Sequence, residues 1–206
     1  AFNAPLAGVI FALEELHRNF SIMVLLPSMA AAFTATIISR AIFGRATIFD
    51  IPYLQLLPIS YYGIVILVAL ASGLAGVIFN WGLLNIGRFY SLPCFKRPVQ
   101  KIAFALICAG ILGYFLPEVL GGGNDLINHL AKAPVSLQLL LIFLAGKLIF
   151  TLISYGCGVP GGFFLPMLVI GALCGSICAQ MLIMLGWIEP AYATNIMVVA
   201  MAALFA

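Results

Sequence analysis

Long stretches without any charged residue dominate the pattern of apolar and polar positions along this chain. No Asp, Glu, Lys or Arg occurs at residues 19–39, 51–87 or 148–188. One bilayer crossing needs roughly 20 mainly apolar residues in a helix. Each stretch therefore holds at least one crossing, and the two longer ones hold a second crossing or a re-entrant piece. The pattern predicts an all-α integral membrane protein that crosses the bilayer several times.

Helix signals and breakers divide the chain into seven long helices and one short one. Pro5 suits the first turn of the first helix, with Asn3 as its N-cap, and Pro27 lies inside the second. The predicted long helices cover residues 5–17, 20–43, 58–90, 102–116, 137–155, 164–185 and a last one from about 191. The short helix, at residues 124–132, is amphipathic and follows Gly121–Gly122–Gly123.

Composition excludes several classes of protein. Apolar residues make up 65% of the chain and charged residues 7%, whereas soluble domains carry about 25% charged residues. The net charge of +3 is small and scattered, which argues against a nucleic-acid partner. The five cysteines and two histidines show no metal-ligand spacing, and no phosphate-loop or hydrolase motif occurs. We therefore predict no metal, no cofactor and no enzyme activity, although a membrane-embedded enzyme is the alternative from a different class.

The predicted helix break at residues 156–162 falls in the middle of an apolar stretch. Irregular backbone at membrane depth is tolerated where it is buried in protein or lines a watery cavity. The break leads through Gly162, Phe163 and Phe164 to Pro166, at the start of the next helix. Unpaired N–H groups and the positive end of the helix dipole make such a helix start suitable for an anion. The alternative is a simple glycine-rich connection between two helices.

Two adjacent acids, Glu14 and Glu15, end the first apolar helix. An acid within a membrane segment is a candidate for a proton path. The alternative is that both lie at the membrane interface, since His17 and Arg18 follow at once. Lys147 is the only charge between residues 133 and 188, and it could pair with an acid, line a wet cavity or extend to the interface.

A basic loop separates the third and fourth long helices. Residues 88–101 carry two arginines and two lysines and no acid. By the positive-inside rule, this loop faces the cytoplasm.

Several segments resemble the chloride channel/transporter (CLC) family. The first eight residues, AFNAPLAG, with Glu14–Glu15 downstream, resemble the segment after that family's first glycine–acid motif. The run GFFLP, from Gly162 to Pro166, fits the family motif G-x-F-x-P. The triglycine and the closing AMAAL follow in the family's order and at similar distances.

The resemblance implies a fold of tilted and partly spanning helices in two inverted halves, and a homodimer in which residues 5–43 supply part of the interface. Residues 1–206 would form a single transmembrane fragment, from late in the first half to late in the second. The lack of an initiator Met and the apolar ending also predict that this chain is part of a longer polypeptide.

By the same resemblance, the amides of Phe163 and Phe164 bind the permeating anion, and Glu15 transfers protons near the inner surface, with Glu14 beside it. The implied function is chloride/proton antiport in a bacterial inner membrane. A passive chloride channel of the same fold and a fluoride/proton exchanger are the alternatives. The channel is disfavoured by Glu15, because many channel members lack an acid there.

Overall fold

The computed structural model describes residues 4–18, 20–44, 49, 51, 54–95, 97–133, 135–162 and 164–205, with backbone alone at Glu15 and Leu16. Within these ranges the chain is helical and contains no strand, which confirms the all-α prediction. The eight α-helices of this part are α1 Pro5–Phe11, α2 Ile22–Phe43, α3 Tyr62–Phe89, α4 Pro98–Phe115, α5 Asn124–Lys132, α6 Leu137–Gly156, α7 Phe164–Met184 and α8 Ala193–Phe205.

Five apolar helices of the described residues are long enough to cross a membrane. They are Ile22–Phe43, Ile59–Phe89, Pro98–Phe115, Leu137–Gly156 and Phe164–Met184, the second including a 3₁₀ turn ahead of α3. The charge-free residues 19–39, 51–87 and 148–188 contain most of α2, α3 and α7. The expectation of a second crossing or a re-entrant piece is wrong for residues 51–87, because one long helix, Ile59–Phe89, occupies that stretch in the described residues. The spans α4 and α6 each carry one lysine, Lys101 and Lys147. Two compact units, residues 1–50 and 51–206, are described separately below.

The first unit consists of α1 and α2. Helix α1 begins at Pro5, as predicted, but Ala4 occupies the N-cap position, and Asn3 lies outside the described residues. The predicted helix to residue 17 is confirmed to Leu16, but its last turn, Ala12–Leu16, is a π-helix. Helix α2 contains Pro27 and has no buried residue among those described.

The second unit is built around α7, which packs against α8 through glycines. A Cβ on Gly171 would lie 2.8 Å from the Met201 Cα, and one on Gly175 would lie 2.7 Å from the Met197 Cα. Only a residue without a side chain allows the two backbones to approach this closely, a common device in membrane helix packing. Residues 169–173 of α7 are fully buried as a result.

Helix α4 starts four residues earlier than predicted. The sequence placed its start at residue 102, but Pro98 is its first residue, where a missing N–H costs nothing. The side-chain oxygen of Gln100 accepts a hydrogen bond from the Arg97 backbone N–H at 3.0 Å and closes this end. The polar residues ahead of the apolar run therefore belong to the helix rather than to the loop.

Candidate functional site

The predicted break separates α6 from α7. Helix α6 continues through Gly156, one residue further than expected, and α7 begins at Phe164. Gly158 has φ +82°, a backbone conformation that residues with a side chain rarely adopt. Pro166 is the third residue of α7, within the first turn, where its missing N–H removes no helical hydrogen bond.

A cavity of about 370 Å³ lies beside this break. Of the predicted anion-binding residues, Gly162 and Pro166 line it, while Phe163 lies outside the described residues. A Cβ built on Gly162 would meet no atom within 4 Å, so the space beside this backbone is open. The other lining residues are Gly121, Lys147, Phe150, Thr151, Ser154, Tyr155, Val159 and Gly161.

Phe164 opens α7, but it is not among the residues that line the cavity. Its ring packs against Phe205 of α8, with the ring centroids 4.9 Å apart and the planes at 79°. This edge-to-face contact is favourable for aromatic pairs. The contact fixes the first residue of α7 against the end of α8, and with it the direction of the helix start.

Helix α6 supplies the polar wall of the cavity. Lys147, Thr151 and Ser154 follow one another at helical spacing and share a face. Lys147 is 1% exposed, and its ammonium donates hydrogen bonds to the carbonyl oxygens of Val119, at 2.9 Å, and Gly121, at 2.8 Å. Of the three interpretations left open by the sequence, the structure supports a cavity-lining lysine, held by backbone carbonyls.

Sequence reasoning did not single out Thr151. This residue is buried, and its hydroxyl donates to the Lys147 carbonyl at 2.7 Å, one helical turn back. The available signal was its position four residues after the only charge in the apolar stretch. Gly121 was recognised as a breaker of the chain but not as a residue of the cavity wall.

The acidic pair Glu14–Glu15 lies in the first unit, in the π-helical turn Ala12–Leu16. Glu14 is exposed, and the side chain of Glu15 lies outside the described part of the structure. Single π-helical turns within α-helices occur frequently at functional sites. Arg18 follows with φ +49°, so the chain leaves the helix direction just after the pair.

The cavity combines features that suit a small, weakly held anion. Glycine backbone, hydroxyl groups and one ammonium border it, together with apolar side chains. Within the described ranges no group of His, Cys, Asp and Glu could hold a metal ion. The Thr151 hydroxyl proton and two of the three ammonium protons of Lys147 are engaged by backbone carbonyls, so these side chains contribute polarity to the cavity wall more than free donors.

Comparison with known proteins identifies the family. The family described as voltage gated chloride channel matches residues 1–206. The H(+)/Cl(−) exchange transporter ClcA of Citrobacter koseri is 34% identical over 184 residues, and that of Vibrio cholerae (El Tor Inaba N16961) is 32% identical over 181 residues. Both alignments cover 85% of this chain and 38% of the relative, so the chain spans well under half the length of these relatives.

A solved structure agrees with this assignment. The chain resembles a slow cyanobacterial Cl⁻/H⁺ antiporter with a TM-score of 0.79 and 25% identity, over 99% of this chain and 53% of the other. The names of these relatives describe transporters rather than enzymes. This protein is an integral membrane protein of the voltage-gated chloride channel (CLC) family.

Proposed function

We propose that the native protein exchanges chloride for protons across a membrane. The observation that carries this proposal is the cavity at the break before α7, bordered by Gly162 and Pro166 and by the polar face of α6. The names of the ClcA relatives and of the structural neighbour, all chloride/proton exchangers, support it. The family description names a channel, so passive chloride conduction is the second candidate. A fluoride/proton exchanger is a less favoured variant.

The anion in this proposal is held by backbone amides rather than by a basic side chain. In this proposal the N–H groups of Phe163 and Phe164, at the start of α7, donate to the anion. Phe164 itself does not line the cavity, but Gly162 and Pro166, on either side of the pair, do. A helix start supplies N–H donors and a positive dipole end. Such a site attracts an anion and still releases it, as conduction requires.

Protons move through Glu15, with Glu14 beside it, in the same proposal. Both acids lie in the π-helical turn Ala12–Leu16. Such turns are rare and occur frequently at functional sites, which supports a functional role for the pair. A carboxyl group can take a proton from water and pass it on. The protein would lie in a bacterial inner membrane with Glu15 near the cytoplasmic surface.

Two copies would pair through residues 5–43. Helix α2 supports this, because none of its described residues is buried within its own unit, and Met23 is 88% exposed. An exposed face of this size must be covered by lipid or by a partner.

A single preparation tests the exchange function. The native protein is reconstituted in liposomes, and chloride efflux and proton uptake are recorded together. We expect Glu15→Gln to abolish proton uptake while chloride efflux continues, because the amide keeps the shape but cannot release a proton. Glu189→Gln, at an exposed acid of the second unit, is the matched control and should preserve both fluxes.

Three results would change the proposal. Chloride efflux without proton uptake in the unmodified protein would establish the channel. Proton uptake at an unchanged ratio in Glu15→Gln would make Glu15 an interface residue. Proton-coupled flux of fluoride with none of chloride would favour the fluoride exchanger.

A further inference from the structure

The triglycine turn packs directly on the beginning of α7. A Cβ on Gly122 would lie 3.2 Å from the Leu165 Cδ1, and a Cβ on Gly123 would lie 2.6 Å from the Val169 Cγ2. Gly123 also has φ +84°. Position 123 therefore favours glycine both for its backbone conformation and for its close contact with Val169. The turn therefore lies against the helix whose start borders the candidate anion cavity.

Lys147 connects this turn to α6. Its ammonium binds the carbonyls of Val119 and Gly121, which lie two residues apart. A Cβ on Gly123 would lie only 3.3 Å from the Lys147 Nζ, so the turn wraps closely around the ammonium. Val119 is completely buried, so water cannot replace the lysine as a donor to its carbonyl. One side chain thus fixes a turn that otherwise has the conformational freedom of three glycines.

A buried ammonium group is stable only when its N–H donors have hydrogen-bond acceptors. An unpaired charge in a low-dielectric interior is strongly unfavourable, whereas carbonyl oxygens stabilise it. The two carbonyls lie at and just after the end of the 3₁₀ turn Pro117–Val119, where carbonyls no longer have partners within the turn. The cation and the turn therefore satisfy each other, and removal of the lysine leaves the buried carbonyl of Val119 without a donor.

We propose that Lys147 is a positioning residue for the anion cavity. It holds residues 119–123 against the first two turns of α7 and so sets the width of the cavity between Gly121 and Pro166. This inference rests on the proposed function, because its consequence is measured as a change in chloride dependence. The role is mechanical: the ammonium acts through the glycine turn and does not need to touch the anion.

The test is the chloride dependence of transport by the native protein in liposomes. Lys147→Met should raise the half-saturating chloride concentration roughly tenfold, the effect expected for the loss of a buried donor, while the maximal rate changes much less. Lys147→Arg, which keeps a donor to both carbonyls, should restore most of the affinity. Lys132→Met removes the same charge from an exposed position of α5 and should leave the half-saturating concentration unchanged.

A second variant separates positioning from a simple effect of charge. Gly123→Ala keeps every charge but forces the turn away from Val169. We expect it to raise the half-saturating concentration as well, and the double variant with Lys147→Met should add little to the larger single effect. If Gly123→Ala transports normally while Lys147→Met does not, Lys147 acts as a charge and the positioning role is wrong.

Folding and function are monitored in the same series. Elution as a single species and the thermal midpoint in detergent are measured for every variant. If Lys147→Met does not fold, the comparison of Gly123→Ala with unmodified protein still decides the matter. Unmodified protein that moves no chloride would refute the proposed function. Normal chloride affinity in both variants would refute only the positioning role.

Discussion

The ammonium of Lys147 donates a hydrogen bond to the carbonyl oxygen of Gly121 at 2.8 Å, and both residues border the cavity beside the helix break. A charge in the middle of an apolar helix is thus stabilised by backbone carbonyl groups. The same backbone belongs to a turn that packs on α7. One interaction therefore connects the polar wall of the cavity to the helix start at which an anion would be held.

Filling the cavity from the backbone should block transport without unfolding the protein. The Cβ of Gly162→Leu would meet no atom within 4 Å, so the new side chain enters the open space beside the break and occupies room that the anion needs. We expect chloride flux in liposomes to fall at least about tenfold, because the side chain occupies space on the proposed path of the anion.

The control for this change is Gly110→Leu. Gly110 lies in α4, is exposed and also has open space around its Cβ position. Its chloride flux should match that of the unmodified protein. If the Gly162→Leu and Gly110→Leu variants transport chloride at the same rate, the cavity does not lie on the path of the anion.

Closely packed glycines between α7 and α8 should set the stability of the second unit. The Cβ of Gly175→Ala would lie 2.7 Å from the Met197 Cα, so the helices must separate. We expect a loss of about 1–3 kcal/mol in the free energy of unfolding. Thermal unfolding in detergent measures it, with Gly110→Ala as the control. An unchanged midpoint in Gly175→Ala would mean that the two helices pack differently.

The orientation of the protein can be read from a native cysteine. Cys94 is exposed and lies in the basic loop predicted to face the cytoplasm, whereas Cys157 is buried. A membrane-impermeant maleimide should label Cys94 in inside-out vesicles and leave it unlabelled in intact cells. A variant with Cys94→Ser identifies the labelled site. Labelling of Cys94 from outside intact cells would reverse the orientation.

Features that depend on local chain chemistry could be predicted from the sequence. Charge-free runs indicated α2, α3 and α7, because a span needs a long apolar segment. Pro5 indicated the start of α1 and the glycines before Pro166 indicated the break, because these residue types act on the backbone directly. The start of α4 was misplaced because the polar residues after Pro98 have the composition of a loop. Helix capping by Gln100 overrides that composition.

Contacts between distant segments could not be predicted in the same way. The partners of Lys147 are carbonyl groups, which every residue carries, so no residue type marks Val119 or Gly121 as acceptors. The packing of Gly123 on Val169 joins positions 46 residues apart and depends on the tertiary fold. The amide of Phe163 and the side chain of Glu15 belong to the proposal and lie outside the described structure.

The most direct test of chloride/proton exchange is whether a chloride gradient drives protons uphill. Liposomes containing the native protein are loaded with high chloride and diluted into low chloride at equal pH, with the membrane potential fixed by potassium and valinomycin at zero. Outward movement of chloride should then drive protons inward and acidify the lumen beyond the external pH, and a protonophore should abolish the difference. Chloride loss with no change in internal pH would contradict the exchange mechanism and establish passive conduction.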